Sequence, residues 1–201
     1  VGPTASGTGI FRPGVATPDE LDIDGNGATR DLVLAVLDLA TDPPVLEVVG
    51  AARQAAVGTD TVAFLAPGGP LFVRRCAPAT SCTVEPLLMP DGASHALASA
   101  VATSDEIVCA LLASNGHVAC AAAGETRLQD LGIRGRAFGV VGPNVVFTTD
   151  TFPSQLRSFA LQGGAFASVY SGPPGTRRFV LSENGFAAYD RCERDLNQDL
   201  N

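Results

Sequence analysis

The chain has no lysine and no tryptophan, only two histidines and one methionine, and aromatic residues make up 6% of its 201 positions. All of its basic residues are therefore arginines, set against a formal net charge of −8. An acidic chain without a basic stripe is a poor partner for nucleic acid, because phosphate contacts need clustered cations. Arg74-Arg75 and Arg177-Arg178 are the adjacent basic pairs and read as solvated strand edges. Glycine-rich turns such as Gly163-Gly164 and Pro67-Gly68-Gly69-Pro70 have neither the lysine nor the following helix that a phosphate cradle requires. With His95 and His117 alone and no Gly-x-Ser-x-Gly elbow, nucleophilic catalysis has no recognisable setting. No stretch approaches the roughly eighteen uninterrupted apolar residues of a membrane helix, so membrane insertion is not expected. Val1-Gly2-Pro3 is not a start, and no basic flank followed by an apolar core opens the chain. Arginine in place of lysine is also associated with GC-rich bacterial coding, which is not a physical argument.

What is abundant is alanine, valine and glycine. Hydrophobic residues make up 46% of the chain, with 22 glycines and 14 prolines spread along it, a composition suited to many short strands and tight turns. Leu32 to Leu39 is a near-continuous apolar run fit for a strand covered on both faces. Thr41-Asp42-Pro43-Pro44 turns it back into Val45-Leu46-Glu47-Val48-Val49. A strand, polar turn and strand then recur at 56–64, 100–108, 140–147 and 180–187. The first residues after each turn, Val62, Ile107, Val145 and Phe186, fall about forty residues apart, the spacing of four-stranded propeller blades.

Between these hairpins lies a second recurrent pair of strands: Leu71-Phe72-Val73 with Thr83-Val84-Glu85, His117-Val118-Ala119 with Thr126-Arg127-Leu128, and 156–159 with 165–169. The innermost strand of each unit is predicted at 54–57, 96–101, 136–141 and 178–181. The expected fold is all-β, a β-propeller or part of one, built from four-stranded antiparallel blades. The blades are placed at 53–90, 91–134 and 135–172, with partial blades at 7–52 and 173–201. An all-β sandwich is the competing fold, but it predicts irregular spacing. Each end brings its own second strand, so the ends duplicate one another, and a ring with more blades is expected.

Five cysteines in such a chain suggest an oxidising setting: extracellular, periplasmic or cell-surface. Cys76 and Cys82 flank a short turn between the third and outer strands of one blade. Cys109 and Cys120 lie symmetrically about Ser114-Asn115, directly opposite in a tight hairpin and within disulfide reach. Both bridges are predicted, with Cys192 left for a partner beyond residue 201. The alternative for Cys109, His117 and Cys120 is a zinc site, but it supplies three ligands in a spacing that matches no common tetrahedral pattern.

The sharpest motif is Asp22-Ile23-Asp24-Gly25-Asn26-Gly27-Ala28-Thr29-Arg30-Asp31. Short oxygen-bearing side chains at alternate positions can converge on hard Ca²⁺ when glycine permits the bend. The predicted ligands are Asp22, Asp24, Asn26, the Ala28 carbonyl and Asp31. Val33 stands where an EF-hand places its bidentate glutamate. The stretch resembles the calcium loops of FG-GAP repeats in integrin alpha chains, and more closely the Asp-rich insertions of secreted bacterial propeller-repeat proteins. In the latter, the loop joins the second and third strands of a blade. Arg30 departs from the FG-GAP pattern, which has a carboxylate there. Asp199-Leu200-Asn201 reads as the opening of another such loop.

The preferred functional expectation is a non-enzymatic, secreted, calcium-stiffened propeller repeat whose face is a platform for a protein or glycan. The alternative is a hydrolase or lyase with acidic residues converging at the propeller mouth.

Overall fold

The computed structural model describes residues 6–11, 32–38, 42–76, 82–92, 94–181 and 187–191. Among these residues every helix-or-strand element is a strand, and all named pairings are antiparallel. The first sheet joins β1 (Ser6–Phe11), β2 (Val33–Asp38) and β3 (Val45–Ala51) in that order. The second is a meander of β4 (Gln54–Val57), β5 (Thr61–Leu65), β6 (Leu71–Arg75) and β7 (Thr83–Pro86).

The third sheet has seven strands: β8 (Ala98–Thr103), β9 (Ile107–Leu112), β10 (His117–Ala122), β11 (Gln129–Val141), β12 (Asn144–Thr149), β13 (Gln155–Gln162) and β14 (Ala165–Pro174). Its length comes from β11, which changes partner midway. Gln129 and Arg134 pair with Cys120 and His117 of β10, while Gly135 and Val141 pair with Thr149 and Asn144 of β12. The sheet is thus two four-stranded meanders that share one long strand. A register shift between His117 and Ala119, with Gly132 at φ 69° on the strand opposite, is the bulge that lets β11 bend between them. A final pair, β15 (Thr176–Leu181) and β16 (Ala187–Arg191), forms its own two-stranded sheet.

Side-chain alternation explains how the meanders stack. All of β9 is buried, because both of its faces are covered. Val108, Ala110 and Leu112 pack with Ala63, Leu65, Leu71 and Val73 of the preceding meander. Ile107, Cys109 and Leu111 pack with Val145, Phe147 and Phe159 of the following one. The same switch occurs on β5, where Val62 and Phe64 meet Leu34 and Val36 of the first sheet. Each large side chain so covered contributes about 1.5–3 kcal/mol relative to exposure. Where stacking is tightest, glycine replaces a side chain: a Cβ on Gly135 would stand 2.7 Å from Val118 Cγ2, and one on Gly139 would stand 2.7 Å from Leu181 Cδ1.

Open antiparallel sheets, four-stranded where complete and packed face to face in chain order, make this an all-β propeller architecture. Some strand limits differ from those the sequence predicts. Residues 126–128 are not the outer strand of their unit. Arg127 makes only an isolated bridge to Leu88, and the strand begins at Gln129. The inner strand expected at 96–101 runs instead from Ala98 to Thr103.

Candidate functional site

Phe11 and Val33 are register partners, so the connection between β1 and β2 leaves and returns at one sheet end. β1 and β2 hold the place of the second and third strands, whose equivalents in the later meanders are joined by residues 66–70, 113–116 and 150–154. The acidic motif is carried on this connection. The predicted ligands Asp22, Asp24, Asn26, Ala28 and Asp31 lie outside the described residues, as do Cys192 and Asp199-Leu200-Asn201. Among the described residues, no group of three or more His, Cys, Asp or Glu side chains could hold a metal ion.

The 150–154 connection, the counterpart of the one bearing the acidic motif, carries Phe152, which is fully exposed. On the 113–116 connection the Asn115 side-chain oxygen accepts the His117 amide at 2.9 Å. His117 Nδ1 lies 3.0 and 3.1 Å from the two carboxylate oxygens of Asp130, and Asp130 also accepts the Gly132 amide at 2.8 Å. The pair is occupied in holding the bulge of β11.

Both predicted cysteine pairs are brought to disulfide distance, with Cα separations of 4.2 Å for Cys76–Cys82 and 4.1 Å for Cys109–Cys120. Cys109 and Cys120 are register partners, and both are fully buried. Their sulfurs are turned to each other and His117 is engaged by Asp130, so the zinc reading has no ligand set.

Arg74 and Arg75 are not solvated strand edges. Successive residues on a strand face opposite ways, and Arg74 and Arg75 use this to reach two different neighbours. Arg74, on the Val62 and Phe64 side, is buried and pairs through Nη2 and Nε with the Glu47 carboxylate of β3. Its Nη1 lies 2.8 Å from Cys76 Sγ. Arg75, on the Val73 side, donates to the Glu125 carbonyl at 2.9 Å and sits 3.6 Å from Glu85. Burial lowers the pKa of Arg75, against the raising influence of Glu85 and Glu125. Its buried Nε has no hydrogen-bond partner. Nothing local distinguishes such arginines from exposed ones, because the Glu47 carboxylate and the Glu125 carbonyl that they reach lie outside their own sheet.

At the opposite sheet end, Asp105 Oδ1 accepts the Asp60 amide at 2.9 Å, and Ser104 Oγ donates to the Gly142 carbonyl at 2.7 Å. The innermost hairpin turns of three successive meanders are thereby laced together. The Asp105 carboxylate serves as a turn cap.

No family model matches the sequence, and no curated protein matches it. Among solved structures, Prp20p of Saccharomyces cerevisiae, described with its binding properties to Gsp1p and histones, is similar at 8% identity and a TM-score of 0.49. The match covers 67% of this chain and 44% of that one. Human WBSCR16 is similar at 14% identity and a TM-score of 0.44, over 62% of this chain and 40% of that one. A Bacteroides uniformis protein provisionally assigned as a 6-phosphogluconolactonase is similar at 13% identity and a TM-score of 0.35, over 79% and 71%. The chain spans less than half the length of the first two. At such identities and TM-scores these likenesses carry no argument about activity or partners. The propeller assignment stands on the strand order and the stacking of the sheets.

Proposed function

We propose that the chain is a non-enzymatic, secreted or surface-exposed propeller repeat of the bacterial FG-GAP-like kind. Calcium orders the acidic connection between β1 and β2, and the sheet end bearing that connection is the platform for a protein or glycan. The observation that carries this reading is the position of the motif. Residues 12–32 replace, at one second-to-third strand junction, what residues 66–70, 113–116 and 150–154 accomplish elsewhere. At 21 residues against four or five at the other junctions, the connection is of a length that commonly carries function, and alternating Asp and Asn with glycine is a composition that a hard cation can order. Phe152 adds an exposed aromatic to the equivalent connection of another unit, and aromatic side chains are favoured anchors at protein interfaces. The two cysteine pairs fit an oxidising compartment.

Thermal unfolding in calcium against chelator tests the metal. A ligand that binds only the folded state adds about 2.7 kcal/mol at a hundred times its dissociation constant. Asp24→Ala should abolish the shift. Absence of any shift in the unsubstituted protein, together with no heat of calcium binding by calorimetry, would overturn the calcium role.

A further inference from the structure

The two cysteine pairs stand in different surroundings. Cys109 and Cys120 have no exposure and lie between two stacked meanders. Cys76 and Cys82 are partly exposed, one just after β6 and the other just before β7, and Cys76 alone has a guanidinium nitrogen at 2.8 Å. A disulfide sulfur is a weak acceptor, whereas a thiolate in the same place makes a charge-assisted bond. Arg74 therefore favours the reduced, ionised form of Cys76 over the oxidised one. A lowered thiol pKa also makes a sulfur the better leaving group in exchange.

We propose that Cys76–Cys82 is a thiol–disulfide exchange site, opened at Cys82 by a dithiol reductant while Arg74 holds the departing Cys76 sulfur. The attacking thiolate forms a bond to Cys82 Sγ. The Cys76–Cys82 bond breaks and its electron pair passes to Cys76 Sγ, which remains a thiolate beside Arg74. The second thiol of the reductant, after giving its proton to water, attacks its own sulfur in the mixed disulfide. That closes the oxidised reductant into a ring and releases Cys82, which takes up a proton. The protein gains the two electrons the dithiol loses. Reduction also gives Arg74 a second anion to hold besides Glu47, so the site is coupled to the contact between β6 and β3.

The test is graded dithiothreitol on the folded protein near neutral pH, with iodoacetamide trapping and peptide mapping. Trypsin leaves all four cysteines on the single peptide 76–127, because no lysine or arginine intervenes. A glutamyl endopeptidase separates them, putting one pair on 48–106, since Glu85 precedes proline and is not cut, and the other on 107–125. Cys76 and Cys82 are expected to label at reductant levels that leave Cys109–Cys120 intact, with circular dichroism unchanged. Labelling of both pairs together, and only as the protein unfolds, would overturn the proposal. Arg74→Gln should slow exchange, because the departing Cys76 sulfur loses its charge-assisted partner, with Arg74→Lys restoring part of the rate. Glu47→Gln keeps a neutral acceptor and frees the guanidinium for Cys76, so it should speed exchange. Unchanged or slower exchange in that variant would remove Arg74 from the mechanism.

Discussion

Replacing Glu47 by alanine should destabilise the protein more than replacing its partner Arg74 by methionine. The asymmetry comes from burial: the Arg74 side chain is 7% exposed and that of Glu47 is 49% exposed. Without Glu47 the guanidinium keeps only the Cys76 sulfur as a side-chain partner, in a place water reaches poorly. Breaking a fully buried pair costs about 3–5 kcal/mol. Because half of Glu47 already faces solvent, a loss of about 2 kcal/mol is the appropriate expectation, within the range for leaving one buried group unsatisfied. Arg74→Met retains most of the aliphatic volume and leaves a carboxylate that water can solvate, at about 0–1 kcal/mol. Urea unfolding reads the difference. With a slope of about 2 kcal/mol per molar, Glu47→Ala should lower the midpoint by about 1 M with the slope unchanged. The double variant should fall close to Arg74→Met alone, because the buried charge that suffers has gone. Equal losses for the two single changes, or simple additivity in the double, would refute the reasoning.

Other perturbations follow from the same geometry. Arg75→Met should be neutral or stabilising within about 1 kcal/mol, since a desolvated guanidinium with an unpartnered Nε gives way to apolar volume. Arginine stays protonated in both folded and unfolded chains at ordinary pH, so that effect should be the same at pH 5 and pH 9 in parallel melts. Gly135→Ala should cost about 1–3 kcal/mol by overpacking against Val118 and Leu111, measured by urea midpoint. Gly58→Ala should also destabilise, and Asp105→Ala should not rescue it. Its Cβ would stand 3.0 Å from the Ser104 carbonyl carbon and 3.1 Å from the Asp105 nitrogen as well as 2.5 Å from the Asp105 carboxylate. Phe152→Ala should leave the melting temperature within error, because the ring buries nothing in this chain.

The repeat was legible because alternation and turn chemistry are local. Val62, Ile107 and Val145 each follow a polar turn at a spacing of about forty residues, and each is buried between stacked sheets. The Cys109–Cys120 pairing was legible for the same reason, since a tight hairpin fixes its own register. The long strand β11 was not. Gly132 and Gly135 punctuate Gly-Ile-Arg-Gly-Arg as though a loop lay there. In the fold one glycine sits at the bulge and the other makes room for Val118, so the chain passes from one meander to the next without leaving the sheet. The roles of Arg74 and Arg75 were equally hidden. Two adjacent arginines on a strand look solvated until the sheets that stack on either side supply Glu47 and the Glu125 carbonyl.

Those two arginines also connect the candidate sites to the architecture. The apolar clusters between sheets are non-directional and fix little beyond distance. A guanidinium aimed at a carboxylate in one neighbour, and another aimed at a carbonyl in the next, fixes how the sheets are turned against one another. Cys76 follows Arg75 directly, so the exchange site is placed where that alignment is set. The acidic connection between β1 and β2 leaves from the first sheet, whose β3 carries Glu47. Order imposed on that connection by a cation and electrons delivered to Cys76–Cys82 would therefore act on one interface from its two sides. In that case the calcium-induced shift in melting temperature should be smaller in the Cys76–Cys82-reduced protein than in the oxidised one. Equal shifts in the two redox forms would show that the loop and the exchange site are independent.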